Sequence, residues 1–162
     1  ITSAKDQFSR KTVLDLVGGV SERIYPVGRL DYDTSGLILL TNDGQLTNKL
    51  THPRHEVNKV YVAVTDGAFT EEDARKLRAG IMVEGYTTAP ALVRIIEKGG
   101  KTSVVEITIH EGRNRQVRKM FETLGYPILG LKRTAIGPVG IGGLEEGKWR
   151  FLSKDEIELL NK

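Results

Sequence analysis

The stretch GRLDYDTSG, Gly28–Gly36, runs directly into the apolar segment Leu37–Thr41. The loop brings two carboxylates, an arginine and two hydroxyl groups close together in sequence. A short apolar run next to polar, glycine-containing residues predicts a buried strand. A second strand-like segment, Tyr25–Val27, precedes the loop. The sequence therefore predicts a polar loop that is held between two strands.

The composition of this loop leaves its role open. Asp31 and Asp33 could accept hydrogen bonds from nearby amides in an Asx turn, with Arg29 pairing with one of them. The same two carboxylates could bind Mg²⁺, although no further acidic cluster in the sequence supplies the remaining ligands. The third possibility is a catalytic loop, and segments farther along the chain bear on it.

Helix-like and strand-like segments alternate on both sides of the loop, without a Ser/Pro linker, a low-complexity tract or an internal repeat. Capping residues and apolar spacing predict helices that begin near Asp43, Thr70, Asn114 and Ser153. Strands are predicted at residues 25–27, 37–41, 57–64, 91–97, 102–109, 128–134 and 149–152. We therefore predict one α+β domain over residues 1–162, with a mixed central sheet flanked by helices and loops.

Composition excludes several classes of site. The 162 residues include no cysteine, which excludes disulfides, thiol nucleophiles and cysteine-bound metals, and the three histidines are too scattered for a metal triad. The glycine-rich tract 137–143 lacks the Lys-Ser/Thr of a nucleotide-binding loop and predicts a turn. No apolar run approaches the roughly 20 residues of a membrane helix, and the first residues lack a secretory signal. We expect a cytoplasmic protein without a metal, a cofactor or a membrane partner.

Basic residues are concentrated in one part of the sequence. The net charge is only +3, with a pI near 9.1. Six cations nevertheless lie between residues 113 and 133, namely Arg113, Arg115, Arg118, Lys119, Lys132 and Arg133. Such a cluster could neutralise several phosphates of a nucleic acid or could form a solvated helix face.

Three segments, taken together and in this order, resemble a known family. They are GRLDYDTSGLILLTNDG at 28–44, NKVYVA at 58–63 and HEGRNRQVRKMF at 110–121. In these motifs the chain resembles the ribosomal RNA pseudouridine synthases of the RsuA/RluB type, and with residues 12–16 the resemblance covers nearly the whole chain. It implies the pseudouridine synthase fold, an α+β fold with a mixed and mainly antiparallel central sheet flanked by helices and loops. It also implies the isomerisation of uridine to pseudouridine, which needs no redox change, group donor or cofactor.

The resemblance implies catalytic roles for three residues. Asp31 matches the family's catalytic aspartate, which acts either as a nucleophile or as a base, and the sequence does not choose between these roles. Arg118 matches the basic partner of that carboxylate, whose burial needs a compensating cation. Tyr61 matches the tyrosine that packs on the uracil. Without the motifs, Tyr61 would be interpreted as a core aromatic residue on a strand. The alternative for Arg118 is one more surface arginine of a basic helix.

The resemblance also implies a set of RNA contacts. Arg29 resembles the residue that enters the RNA where the target base leaves, and its planar cation can partly replace the lost stacking. Asp33, Thr34 and Ser35 are expected to shape the loop, with the last two also facing the substrate. Further RNA contacts are expected from Arg113, Asn114, Arg115, Gln116 and Lys119.

The third motif, GRNRQVR, is closer to the RluB-like branch, which acts on large-subunit ribosomal RNA, than to the small-subunit branch. Enzymes of this type usually carry a small RNA-binding domain ahead of the catalytic part, and we expect that domain to be missing from this chain. The resemblance therefore implies large-subunit ribosomal RNA as the partner, and we expect a monomer. The alternatives are a small-subunit enzyme and an RNA-binding protein without catalysis.

Overall fold

A computed structural model of the chain describes Thr2 and residues 11–162. Its helices are α1 (Gly44–Thr51), α2 (Glu71–Ala79), α3 (Gln116–Thr123) and α4 (Lys154–Leu160), and short 3-10 helices lie at Val13–Leu16 and Pro53–His55. Its strands are β1 (Tyr25–Pro26), β2 (Ser35–Gly36), β3 (Leu40–Thr41), β4 (Lys59–Asp66), β5 (Met82–Val83), β6 (Tyr86–Thr87), β7 (Leu92–Lys98), β8 (Thr102–Ile109), β9 (Ile128–Ile136) and β10 (Val139–Gly140). The predicted domain boundary at Ile1 lies outside the described residues.

The central sheet has six strands. Five of them lie side by side in the order β10-β9-β4-β8-β7, each antiparallel to its neighbour, and β2 pairs with β9 in parallel. Two small antiparallel pairs, β1 with β3 and β5 with β6, lie outside this sheet. The predicted fold class, α+β with a mixed and mainly antiparallel sheet, is therefore confirmed.

One face of this sheet carries the larger hydrophobic core. Strand β8 alternates strictly, so that Ser103, Val105, Ile107 and Ile109 are buried while the residues between them are more exposed. A strand with this period-two pattern packs one face against other elements. Helices α2 and α3 cover that face and contribute apolar residues to the core, among them Leu77, Met120 and Phe121.

A second, smaller core anchors the polar loop. It joins Val27, just before the loop, to Leu37 and Leu39, just after it, and packs them with Leu50 of α1 and Ile136 of β9. Both ends of GRLDYDTSG are therefore tied into buried apolar contacts. This explains how a loop rich in polar groups keeps one conformation.

Four predicted helix starts were compared with the structure, and three are confirmed. Asp43 accepts hydrogen bonds from Gln45 N and Leu46 N, and Thr70 and Ser153 cap α2 and α4 in the same way. The predicted cap at Asn114 is wrong. Helix α3 begins one residue later, after Arg115, which adopts the left-handed conformation with φ 52°. The reason is that the preceding turn closes on Arg113, whose carbonyl accepts from Gln116 N at 3.1 Å.

Two strand predictions also need correction. Within Leu37–Thr41 only Leu40–Thr41 forms a strand. The pairing of Ser35–Gly36 with β9 ends at the hydrogen bond from Leu37 N to Arg133 O, and Leu37 and Leu39 fill the smaller core instead. The segment Trp149–Leu152 is not a strand. Its aromatic side chains contact each other locally instead of packing as part of a sheet, since the Trp149 and Phe151 rings lie 5.2 Å apart, edge to face. None of the described helices is long and apolar enough to cross a membrane.

Candidate active site

A cavity of about 450 Å³ opens where the polar loop meets strands β4 and β9 and the start of α3. Asp31 lines it from the loop, Tyr61 from β4 and Arg118 from α3, so the fold brings the three predicted catalytic residues to one cavity. Its lining also includes most of the predicted RNA contacts, which are Arg29, Thr34, Arg113, Asn114, Arg115 and Gln116. Ser35 and Lys119 lie just outside this lining.

Strand β2 fixes the position of the loop. Thr34 N donates to Asp31 O at 2.9 Å and closes a turn, after which Ser35–Gly36 run parallel to Lys132–Arg133. Gly36 has φ +114°, and a Cβ atom there would lie no more than 2.9 Å from three backbone atoms of Arg133. Because only glycine permits this close approach, the Thr-Ser-Gly part of the motif holds Asp31 next to β9.

Asp33 binds two arginines at the cavity. Arg115 donates from Nη1 and Nη2 to its two carboxylate oxygens at 3.0 and 2.9 Å. Arg118 places Nε 3.4 Å from Oδ1 and donates from Nη2 to the Asp33 carbonyl at 2.6 Å. The hydrogen bonds from Arg115 hold the pKa of Asp33 below its usual value, against the effect of burial and with help from both guanidinium charges. The motif predicts only a loop-shaping role for Asp33, whereas the structure shows it to be the acidic partner of both arginines.

Asp31 lies beside this ion-pair cluster. Its side chain is 36% exposed, and Oδ2 lies 3.8 Å from Nη1 of Arg115. The resemblance implies Arg118 as the partner of this carboxylate, but in the structure Arg118 pairs with Asp33 and Arg115 lies next to Asp31. A separation of 3.8 Å is longer than a hydrogen bond. The Asp31 carboxylate is therefore left available for contact with a substrate.

The guanidinium groups also bear on the alternative of a magnesium site. Both carboxylate oxygens of Asp33 accept hydrogen bonds from Arg115, so a divalent cation shared with Asp31 would have to displace that arginine. Within the part of the chain that the structure describes, no three His, Asp or Glu residues are grouped so that they could hold a metal ion.

Glu111 and Gln116 build the wall of the cavity at the start of α3. Glu111 Oε1 accepts hydrogen bonds from Ala89 N and from Gln116 Nε2, both at 2.8 Å. Gln116 is 3% exposed, and its side-chain carbonyl also accepts from Arg113 N at 3.4 Å. The amide of Gln116, predicted to contact RNA, is thus engaged in holding this segment in place.

Two further predicted RNA contacts are bound to the hairpin formed by β5 and β6. The guanidinium of Arg113 lies 4.2 Å above the ring of Tyr86. Lys119 Nζ lies 2.9 Å from a carboxylate oxygen of Glu84, which is exposed. Arg113 stays 56% exposed despite its contacts, so it can still meet a phosphate at the edge of the cavity.

Lys59 and Arg133 line the cavity although the motifs did not single them out. Lys59 precedes Tyr61 by two residues on β4, and strand periodicity alone could have placed both on one face. Arg133 is the β9 residue paired with Tyr61. No local pattern identifies it, because its position depends on how β9 aligns with β4.

Positive charge dominates the cavity. Among the described residues, six cations and two carboxylates line it: Arg29, Lys59, Arg113, Arg115, Arg118 and Arg133 against Asp31 and Glu111. A concave surface with this excess of one sign attracts a polyanion such as a nucleic acid. The site therefore combines a carboxylate, an aromatic ring and a cationic surface that suits phosphates.

Several known proteins are similar in sequence to this chain. Residues 3–123 match the sequence profile of RNA pseudouridylate synthase. The chain is 48% identical to ribosomal large subunit pseudouridine synthase B of Bacillus subtilis, over 99% of this chain and 66% of that protein. It is 38% identical to the dual-specificity RNA pseudouridine synthase RluF of Escherichia coli, over 97% of this chain and 52% of that protein.

Solved structures agree with the sequence relatives. A crystal structure of pseudouridylate synthase has a TM-score of 0.84 and 37% identity, and the match covers 92% of this chain and 65% of that one. An H/ACA ribonucleoprotein bound to a substrate RNA contains the same fold at a TM-score of 0.59, with only 20% identity. The chain spans 66% and 52% of the two curated relatives named above. On the profile match and these identities, the chain belongs to the RNA pseudouridylate synthase family and is of the RsuA/RluB type.

Proposed function

We propose that this protein isomerises uridine to pseudouridine in large-subunit ribosomal RNA, with Asp31 as its catalytic carboxylate. The observation that carries the proposal is the shared cavity, which is lined by the Asp31 carboxylate, by several cations, of which Arg115 lies 3.8 Å from that carboxylate, and by the half-buried Tyr61. The choice of the large subunit rests on the GRNRQVR motif and on the name of the Bacillus subtilis relative.

The reaction exchanges one bond to the ribose for another. The N1–C1′ bond of uridine breaks, the uracil turns, a bond forms between C5 and C1′, and the proton on C5 is lost while N1 gains one. Asp31 acts on the ribose or base as a nucleophile or removes a ribose proton. Tyr61 supports the uracil ring during the turn by packing against it. The net change needs no oxidant, reductant or group donor.

The target base must leave the RNA stack to reach Asp31. Enzymes that act on a base pay a few kcal/mol to extrude it and recover part of that cost through inserted side chains. Arg29 is exposed on the loop that carries Asp31, which suits it for this insertion. The exposed arginines at the edge of the cavity then bind phosphates and hold the RNA in register.

Tritium release from C5-labelled uridine tests the proposal. Unmodified large-subunit and small-subunit ribosomal RNA transcripts are incubated with the full-length protein and with the variant Asp31→Asn. We expect release from the large-subunit transcript only, and a loss of at least ~100-fold in Asp31→Asn. Asp66→Asn is the matched control, because Asp66 is an exposed aspartate at the far end of β4, outside the cavity.

Three results would count against the proposal. Binding of the unmodified transcript by the wild type without tritium release would favour an RNA-binding protein without catalysis. Full activity of a folded Asp31→Asn variant would remove Asp31 from its role. Loss of wild-type activity on addition of EDTA would favour the magnesium alternative.

A further inference from the structure

Arg133 is a buried cation with a free hydrogen-bond donor. Only 5% of the residue is exposed, and Nε donates to the carbonyl of Leu37 at 2.9 Å. Its Nη2 atom is fully buried and has no hydrogen-bond partner among the described residues. Arg133 lines the cavity. Buried polar groups in proteins are almost always hydrogen-bonded, so an unpaired donor in the wall of a cavity points to a group that binds there.

Lys59 adds a second cation to the same surface. Its Nζ lies 3.9 Å from the position that a Cβ atom would take at Gly112, so the absence of a side chain at Gly112 leaves room for the ammonium group. Burial lowers the pKa of Lys59, and the nearby charge of Arg133 lowers it further. The two cations are therefore close enough to repel each other.

The carboxylates of the cavity do not compensate these charges. Asp31 lies next to Arg115, and Glu111 is occupied by Gln116 and Arg113. Within the described part of the chain, neither Lys59 nor Arg133 takes part in an ion pair. Burying an unpaired charge costs several kcal/mol. Such an arrangement is expected where a ligand supplies the missing oxygen atoms.

The sheet register shows which part of a nucleotide these cations would meet. Arg133 is paired with Tyr61 across β4 and β9, and Lys59 lies on the same face of β4 as Tyr61. A uracil that packs on the Tyr61 ring therefore has these two donors at its edge. The exposed Arg29 and Arg113 at the edge of the cavity are better placed for phosphates.

We propose that Arg133 is a further catalytic residue, which together with Lys59 donates hydrogen bonds to the carbonyl oxygens of the target uracil. This inference rests on the function proposed above. When the N1–C1′ bond breaks, its electron pair stays on the uracil and is spread over N1, O2 and O4. That pair forms the new bond from C5 to C1′, after which C5 gives up its proton. Arg133 transfers no proton; its fixed donor stabilises the negative charge while the base is detached.

The same contacts would also favour uracil over cytosine. Uracil presents a carbonyl oxygen at position 4, which accepts a hydrogen bond, whereas cytosine presents an amino group that donates one. A site built from fixed donors leaves those donors unpaired when the acceptor is missing, and such a loss is penalised strongly in a buried site.

Single-turnover kinetics and binding, measured on the full-length protein, test this inference. The variants are Arg133→Met and Lys59→Met, with Arg94→Met and Lys98→Met as controls because Arg94 and Lys98 are exposed on β7, away from the cavity. We expect Arg133→Met to slow pseudouridine formation at least ~100-fold, as for loss of one fixed donor to a developing oxyanion. Lys59→Met is expected to slow it about 10-fold, since its charge is less buried and more mobile.

Binding of two RNAs separates contact with the base from contact with phosphate. One RNA carries uridine at the target position and the other carries an abasic ribose. If the cations bind uracil, both Met variants lose affinity for the uridine RNA but not for the abasic RNA. An equal loss for both RNAs would assign Lys59 and Arg133 to a phosphate and overturn the inference.

Two controls keep the outcomes distinct. Arg133→Met also removes the hydrogen bond to the Leu37 carbonyl, so the thermal unfolding of this variant is compared with that of the wild type. Lys59→Met leaves that hydrogen bond intact, and its kinetics and binding test the inference if Arg133→Met does not fold. If the wild type is active and both folded variants react at the wild-type single-turnover rate, the role proposed for Arg133 and Lys59 is refuted while the proposed function stands. A wild-type protein that forms no pseudouridine would refute the proposed function itself.

Discussion

Gly36→Ala is expected to damage both the stability and the activity of this protein. Gly36 pairs with Arg133 in the parallel β2–β9 contact, and a Cβ atom at this position would overlap the backbone N, C and O of Arg133. These are main-chain atoms of a central strand and have no free rotamer to adopt. Strand β2 would therefore have to move away from β9, and the turn that carries Asp31 would move with it.

The size of the effect follows from two contributions. Placing alanine at φ +114°, in a region that residues other than glycine rarely adopt, costs about 1–3 kcal/mol. Forcing the backbone apart costs about 1–3 kcal/mol more, as for an overpacked core. A total of about 3 kcal/mol lowers the melting temperature of a protein of this size by about 6–12 °C. A displacement of Asp31 by about 1 Å is expected to slow the reaction by about 100-fold.

Urea unfolding and single-turnover tritium release measure the two effects. Gly140→Ala is the matched control, because Gly140 lies in β10 with open space around its Cβ position, and alanine there is expected to change the unfolding free energy by no more than ~0.5 kcal/mol. The reasoning is refuted if Gly36→Ala is as stable and as active as Gly140→Ala. Loss of activity with unchanged stability would show that the glycine serves the substrate and not the strand contact.

The remaining predictions concern two carboxylates with lowered pKa values. Asp33→Asn is expected to lower the unfolding free energy by about 1 kcal/mol at about pH 7, because one charge of the paired Arg115 cluster is lost. Because the pKa of Asp33 is lowered, its ionised carboxylate stabilises the fold above the unfolded pKa, and this gain is lost as the pH falls through the folded pKa. The difference between variant and wild type in urea unfolding should therefore shrink as the pH falls below the usual range of an aspartate pKa, and a pH-independent difference would contradict this. Tyr126→Phe removes the 2.6 Å hydrogen bond from the Tyr126 hydroxyl to Asp73, which should cost about 2 kcal/mol. The pKa of Asp73, now lowered mainly by that bond, should move up in a carboxyl NMR titration, and an unchanged titration would exclude the bond in solution.

Local signals in the sequence predicted the elements that depend on local contacts. The caps at Asp43, Thr70 and Ser153 are bonds between a side chain and an amide two or three residues along the chain, so the sequence contains all the participants. The apolar run after the loop illustrates the limit of this reasoning. How much of this run forms a strand depends on where it pairs with β9. Arg133 of β9 lies 96 residues from Leu37, so no local signal in the sequence shows how the two segments align.

In the candidate site, too, the motif residues could be predicted from the sequence, whereas their long-range pairing could not. Asp31, Tyr61 and Arg118 were found because each lies in a motif that the family resemblance identifies, and the fold brings all three to one cavity. The pairing within the cavity was not predictable. Whether Asp31 or Asp33 pairs with each arginine depends on the positions of side chains that lie more than 80 residues apart in the sequence. In the structure both arginines donate hydrogen bonds to Asp33.

The basic cluster between residues 113 and 133 separates in the fold into groups with different physical roles. Arg115 and Arg118 neutralise Asp33, Lys119 pairs with an exposed glutamate, and Arg133 is buried beside Tyr61 while its neighbour Lys132 points to solvent. Only charges that face water and meet phosphates release counterions on binding and so contribute to the salt dependence of RNA affinity. It follows that the number of basic residues in the motif overstates the phosphate contacts. The salt dependence of RNA binding should instead reflect the exposed cations, whereas the buried ones should affect the rate of the reaction.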